Sequence, residues 1–128
     1  MKFLIDTHTF LWFVNDSQQL SNYARSLMES DVDLLISSAS LWEIAIKVSI
    51  GKLTLRNSFQ TFIPQQLTIN DIEIIYPTID HLSALSELPF HHRDPFDRLM
   101  IAQAIVENIP MITRDSAFNL YEIECIWD

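Results

Sequence analysis

Short apolar runs alternate with longer stretches of mixed pattern along the whole chain, and most of the short runs end at a polar residue. Lys2–Ile5 is a compact apolar run that stops at Asp6 and predicts a strand. Thr7–Val14 (THTFLWFV) is too long for a turn and predicts a helix, broken by Asn15-Asp16-Ser17. Leu20–Glu29 predicts a second helix capped by Ser21 or Ser17. Val32–Ile36 (VDLLI) predicts strand two. Ala39–Ile50 places Leu41, Ile44, Ala45 and Val48 on one helical stripe, and Gly51 stands just past its end, where a C-terminal glycine belongs. Leu53–Ile69 is harder to read. It suits a helix over Phe59–Leu67, but Pro64 interrupts that helix unless it starts there. Ile72–Tyr76 (IEIIY) predicts strand three, Thr78–Leu88 a helix capped by Thr78, and Glu122–Trp127 a last strand. There is no repeat, low-complexity segment or linker.

The stretch His91–Asp115 (HHRDPFDRLMIAQAIVENIPMITRD) organises the rest. Asp94-Pro95 reads as a helix start, with Asp as N-cap and Pro at the first helical position. Leu99–Val106 is apolar on nearly every face except Gln103, the mark of a buried helix. Asn108-Ile109-Pro110 ends it, Met111–Thr113 predicts a strand, and Asp115 follows.

Strands alternating with helices predict an α/β fold whose parallel sheet is covered on both faces. Right-handed crossovers bring the C-terminal ends of the strands to one edge, where open α/β sheets bind ligands. Four acids map there: Asp6 after strand one, Glu43 early in the helix after strand two, Asp97 in the first turn of the buried helix, and Asp115 after the fourth strand. Each has a local explanation. Asp6 suits a helix cap, Glu43 a capping box with Ser40 or a pair with Lys47, Asp97 a box with Asp94, and Asp115 a cap for a short helix at Ser116. Together they need another account, because clustered carboxylates repel and raise one another's pKa.

Composition narrows the chemistry. At 128 residues and 48% hydrophobic, the chain has the size and apolar content of one domain, residues 1–128, with its own core. A net charge of −9 argues against gripping phosphates with Lys and Arg alone. Either there is no polyanion partner, or a basic protein binds, or metal ions supply the positive charge. Cys125 is alone, which fits a reducing cytosol, and no apolar run approaches a membrane span. The single glycine, Gly51, excludes a glycine-rich phosphate loop. His8 in place of an acid two residues after Asp6 argues against an aspartyl-phosphate enzyme, and Trp127-Asp128 does not supply what a receiver domain needs. Ligand sets of oxygen alone suit Mg²⁺ or Mn²⁺, which often bridge to substrate phosphates. One or two such ions would also let an acidic protein bind RNA.

The segments LIDTHTFLW, SLWEIAIK, DPFDRLMIAQA and ITRD, in this order and covering nearly the whole chain, resemble the motifs of PIN-domain proteins. More narrowly, the chain is similar to the VapC-type ribonuclease toxins of type II toxin–antitoxin modules. The resemblance implies a three-layer α/β/α sandwich with a mostly parallel central sheet and a metal-dependent endoribonuclease of the cytoplasm. It also implies homodimerisation and inhibition by a small antitoxin with a basic segment. Asp6, Glu43, Asp97 and Asp115 would be the catalytic acids, with Asp6, Asp97 and Asp115 holding Mg²⁺ or Mn²⁺ and Thr7 and Thr113 supporting them. The spacing from the acid to Ile101-Ala102 is one residue longer than in many relatives, so Asp94 stays open beside Asp97. The rival is a catalytically silent PIN-like module that only binds a partner. His91, His92 and Arg93 read first as a solvated loop and second as phosphate contacts. His8 and His81 lack a partner at zinc spacing, and Phe10, Trp12 and Phe13 read as core or dimer interface before base-stacking residues.

Overall fold

The computed structural model describes residues 1–128. Five strands, β1 (Lys2–Ile5), β2 (Asp33–Ser37), β3 (Ile72–Ile75), β4 (Met111–Ile112) and β5 (Cys125–Ile126), form one sheet in the order β3-β2-β1-β4-β5. Every pairing is parallel, with Phe3 opposite Leu34, Ile36 opposite Ile74, Ile5 opposite Ile112 and Ile112 opposite Ile126. The helices are α1 (Thr7–Val14), α2 (Asn22–Met28), α3 (Ser38–Ser49), α4 (Phe59–Ile69), α5 (Ile79–Ser86) and α6 (Pro95–Glu107), and a short 3-10 helix covers Ser116–Leu120.

The pleat divides the core in two. Phe3, Ile5, Leu34, Ile36 and Ile112 point to one face and pack with Phe10, Val14, Ala24, Met28, Phe62 and Ile63 from α1, α2 and α4. Leu4, Leu35 and Met111 point to the other and pack with Met100, Ile101, Ala102 and Ala104 of α6, with Leu88 and with Phe118. Both faces are covered, which makes the three-layer α/β/α sandwich that the residue pattern implies.

The expected elements form, with instructive shifts at their ends. Ser21, rather than Ser17, caps α2 through Ala24 N–H, and its hydroxyl reaches the carbonyl of Trp127 beside β5. Pro64 does not divide α4. The helix runs through it from the Ser58 cap, because Phe62 and Ile63 anchor its middle in the core. Gly51 has φ +75 just after α3, and Asn108 closes α6 at φ 54 in the left-handed region that Asn tolerates. The last strand is confined to Cys125–Ile126, since only its partner β4 offers backbone groups to pair with, and β4 is itself two residues long.

The chain order places β1 first, then β2 and β3 on one side, then β4 and β5 on the other. The sheet reverses its winding between β1 and β4, so a crevice opens outside their C-terminal ends. Residues 6 and 113–115 flank it.

Candidate metal centre

Asp6 leaves β1 and caps α1, accepting the N–H of Thr9 at 2.9 Å through Oδ1. Its other oxygen accepts the Thr113 hydroxyl at 2.6 Å. Burial raises its carboxyl above the ordinary range, against the pull of the bonds from Thr113 and Thr9. Glu43, one turn into α3, is also buried. Thr7 Oγ1 donates to its Oε1 at 2.8 Å, and Lys47 Nζ stands 2.9 Å from its Oε2. The cap of α3 is Ser37, while the hydroxyl of Ser40 turns to Met100 Sδ, so the box between Ser40 and Glu43 does not form and the pair with Lys47 does.

Asp94 is the N-cap of α6, as expected. Its Oδ1 accepts Phe96 N–H at 2.8 Å and Asp97 N–H at 3.1 Å. Asp97 sits inside the first turn, one turn before the buried Met100 and Ile101. Burial, with Asp94, Glu43, Asp6 and Asp115 nearby, pushes its carboxyl up to about 8. Asp115 caps the 3-10 helix through Ala117 N–H at 3.0 Å and keeps Oδ2 for the crevice.

These residues meet in one open cleft of about 510 Å³, lined by Asp6, Glu43, Asp94, Asp97 and Asp115 among others. All four acids expected at the sheet edge are brought together, and Asp94 stands beside them. Trp12 joins them from α1, half-buried, with His8 stacked on its ring at 5.5 Å and the Arg114 guanidinium 5.7 Å from it. Phe10 is fully buried, so it belongs to the core as expected.

The histidines divide. His81 is buried and structural: Nδ1 accepts Thr78 N–H at 3.0 Å, and Nε2 meets Glu107 at 2.9 Å. His92 departs from the solvated-loop reading. Its Nε2 lies 3.1 Å from Asp97 Oδ2 and 3.2 Å from Asp115 Oδ2, while His91 and Arg93 on either side are exposed. The donor atoms of His92, Asp97 and Asp115 all fall within 4.8 Å of one another. His92 thus stands beside the acids, a neighbour that the pattern of carboxylates alone did not point to. The sequence signal was thin, a His two residues before an Asp-Pro cap.

The donor set fits a hard divalent cation. Of the basic groups near the cleft, Lys47 pairs with Glu43, Arg98 bonds backbone carbonyls and the Arg114 guanidinium lies toward Trp12. No fixed cation of the protein pairs with Asp97, and an acid pushed up to about 8 by burial and by its acidic neighbours is one whose charge an added cation would stabilise.

A parallel, doubly wound sheet with a carboxylate cleft at its switch point defines a class of α/β protein that binds at the strand ends. The chain belongs within it to the PIN domain family, whose model matches residues 3–123. Solved structures share the fold. A chain of VapBC2 from Rickettsia felis, bound to a DNA fragment from its promoter, superposes with TM-score 0.75 at 20% identity, covering 100% of both chains. A chain of FitAcB from Neisseria gonorrhoeae gives 0.70 at 15% identity over 98% of this chain and 96% of that one. VapBC-1 from nontypeable Haemophilus influenzae gives 0.69 at 14% over 98% and 97%. Comparison with curated proteins gives no match. No helix is long and apolar enough to cross a membrane.

Proposed function

We propose that the protein is a metal-dependent endoribonuclease and the toxin of a toxin–antitoxin module. The observation that carries this reading is the convergence of Asp6, Glu43, Asp97 and Asp115, from four separate segments, in one cleft. Asp97 and Asp115, with Asp6 behind them, would hold Mg²⁺ or Mn²⁺. When bound, such an ion supplies positive charge for the scissile phosphate and lowers the pKa of bound water. Thr7 and Lys47 fix the two oxygens of Glu43, which leaves that carboxylate in place to accept the proton of water attacking phosphorus as the bond to the leaving oxygen breaks. Trp12 and Arg114 on the cleft wall offer a base and a phosphate somewhere to rest.

The toxin assignment rests on the PIN family and on the motif resemblance, and it is supported by the description of the similar structures as VapBC and FitAB proteins. The partner would be a small antitoxin whose basic segment enters the acidic cleft. A homodimer is part of the same reading, and exposed Tyr76, Ile79, Leu82 and Phe90 around α5 are suited to such a contact.

The test is cleavage of RNA by purified protein. Activity is expected with Mg²⁺ or Mn²⁺, lost in EDTA and absent in Asp97→Asn. Cleavage that survives EDTA sinks the metal mechanism. A folded, metal-loaded protein that cleaves no RNA favours the silent binding module.

A further inference from the structure

His92 lies on the loop between α5 and α6, yet its imidazole is aimed at the acids, and a clasp from two distant side chains holds it there. Arg98 is buried and has no carboxylate partner. Its guanidinium donates instead to the carbonyls of Pro89 at 3.0 Å, His92 at 3.3 Å, Leu88 at 3.3 Å and Leu85 at 3.5 Å. Tyr121 completes the clasp: its hydroxyl donates to Pro89 O at 2.9 Å and accepts the N–H of His92 at 2.9 Å. The His92 ring stands edge-on to buried Phe118 at 5.6 Å. A buried guanidinium is costly unless its donors are satisfied, and here they are satisfied by fixing one short loop.

The tautomer follows from the backbone. Asp94 N–H donates to His92 Nδ1 at 3.2 Å, so Nδ1 carries the lone pair and Nε2 the hydrogen. An Nε2–H cannot ligate a cation. It can donate, and its hydrogen-bond acceptor is Asp115 Oδ2 at 3.2 Å, with Asp97 Oδ2 also close at 3.1 Å.

We propose that His92 is a positioning residue, whose Nε2–H holds the Asp115 carboxylate beside that of Asp97, at the spacing that takes a divalent cation. This rests on reading the cleft as a metal centre. Two carboxylates so close repel and would otherwise splay into solvent. A neutral donor on Asp115, set close against Asp97, keeps the pair together without adding a charge that competes with the ion. Hydrogen bonds of this kind to ligating groups are worth about 10–100-fold in metal affinity.

The test is calorimetric titration of the full chain with MnCl₂ and with MgCl₂. His92→Ala should weaken both ions by about 10–100-fold and to the same extent. His92→Gln, whose side-chain amide N–H can replace Nε2–H, should restore most of the loss. Tyr121→Phe, which loosens the clasp and keeps the ring, should give a smaller loss, with circular dichroism unchanged in all three. Binding by His92→Ala as tight as or tighter than the parent overturns the proposal and makes His92 a plug that the ion displaces. A loss confined to Mn²⁺ and not recovered in His92→Gln overturns it in favour of direct ligation. A folded parent that binds neither ion overturns both the proposal and the metal reading, a result distinct from the other two.

Discussion

Thr7 and Glu43 are joined by a buried hydrogen bond of 2.8 Å between the first turn of α1 and the second turn of α3. It fixes one oxygen of Glu43 while Lys47 holds the other. Thr7→Val keeps the shape and removes the donor, leaving a buried carboxylate oxygen unpaired. The expected cost is about 1–3 kcal/mol of stability, read from urea unfolding, together with a clear loss of RNA cleavage in the remaining folded protein. Unchanged stability and activity would mean that Glu43 is held by Lys47 alone.

Metal-free protein should lose stability as pH rises. The Asp97 carboxyl lies near 8 in the folded state against an ordinary 3.8, so the folded chain binds this proton more tightly than the unfolded one. That contribution is complete below the unfolded value and is lost as pH climbs through the folded one. Asp6, also raised, acts in the same direction. Urea midpoints in EDTA should therefore fall between about pH 4 and 8. Asp97→Asn should flatten the fall and give an equal or higher midpoint near pH 8. A midpoint that rises over this range would contradict the crowding of charge at the centre.

Asp94 and Asp97 should separate cleanly. Asp94→Asn preserves the cap on Phe96 and Asp97, so most activity should remain, whereas Asp94→Ala should cost about 1 kcal/mol of stability. Asp97→Asn should keep the fold and lose metal binding and cleavage. Titration showing the reverse, with affinity lost in Asp94→Asn and kept in Asp97→Asn, would exchange the two roles.

A cationic antitoxin segment should associate quickly with a chain of net charge −9, and the rate should drop with added salt. Stopped-flow association that ignores ionic strength would point to an apolar docking surface instead.

The capping roles of Asp6 and Asp115 and their place at the crevice share one physical reason, whereas the box expected between Asp94 and Asp97 does not form, because Asp94 N–H goes to His92 Nδ1. In a strand–helix unit the end of the strand is also the start of the helix, so a carboxylate there can cap with one oxygen and present the other to the crevice. Asp115 does this, with Oδ1 on Ala117 and Oδ2 at the site. That geometry was legible from the alternation of apolar runs and from Asp94-Pro95. His92 was not, because its place depends on Arg98 and Tyr121, six and 29 residues away, and no periodicity encodes such contacts. The passage of α4 through Pro64 was equally hidden, since propensity favours a break and only the burial of Phe62 and Ile63 outweighs it.

The pairing of β1 with β4 has a consequence in time. Asp6 and its Thr113 partner are 107 positions apart, and Asp115 lies beyond. At roughly 5–20 residues per second, a ribosome takes on the order of 10 s to pass from one to the other. Until that interval ends the emerging polypeptide lacks Asp115, even once Glu43 and Asp97 have been made, and its first strand lacks the neighbour that closes the crevice. On the proposed function, a polypeptide released before β4 would lack Asp115 and the closed crevice, so cleavage is expected only after synthesis has passed the last acid.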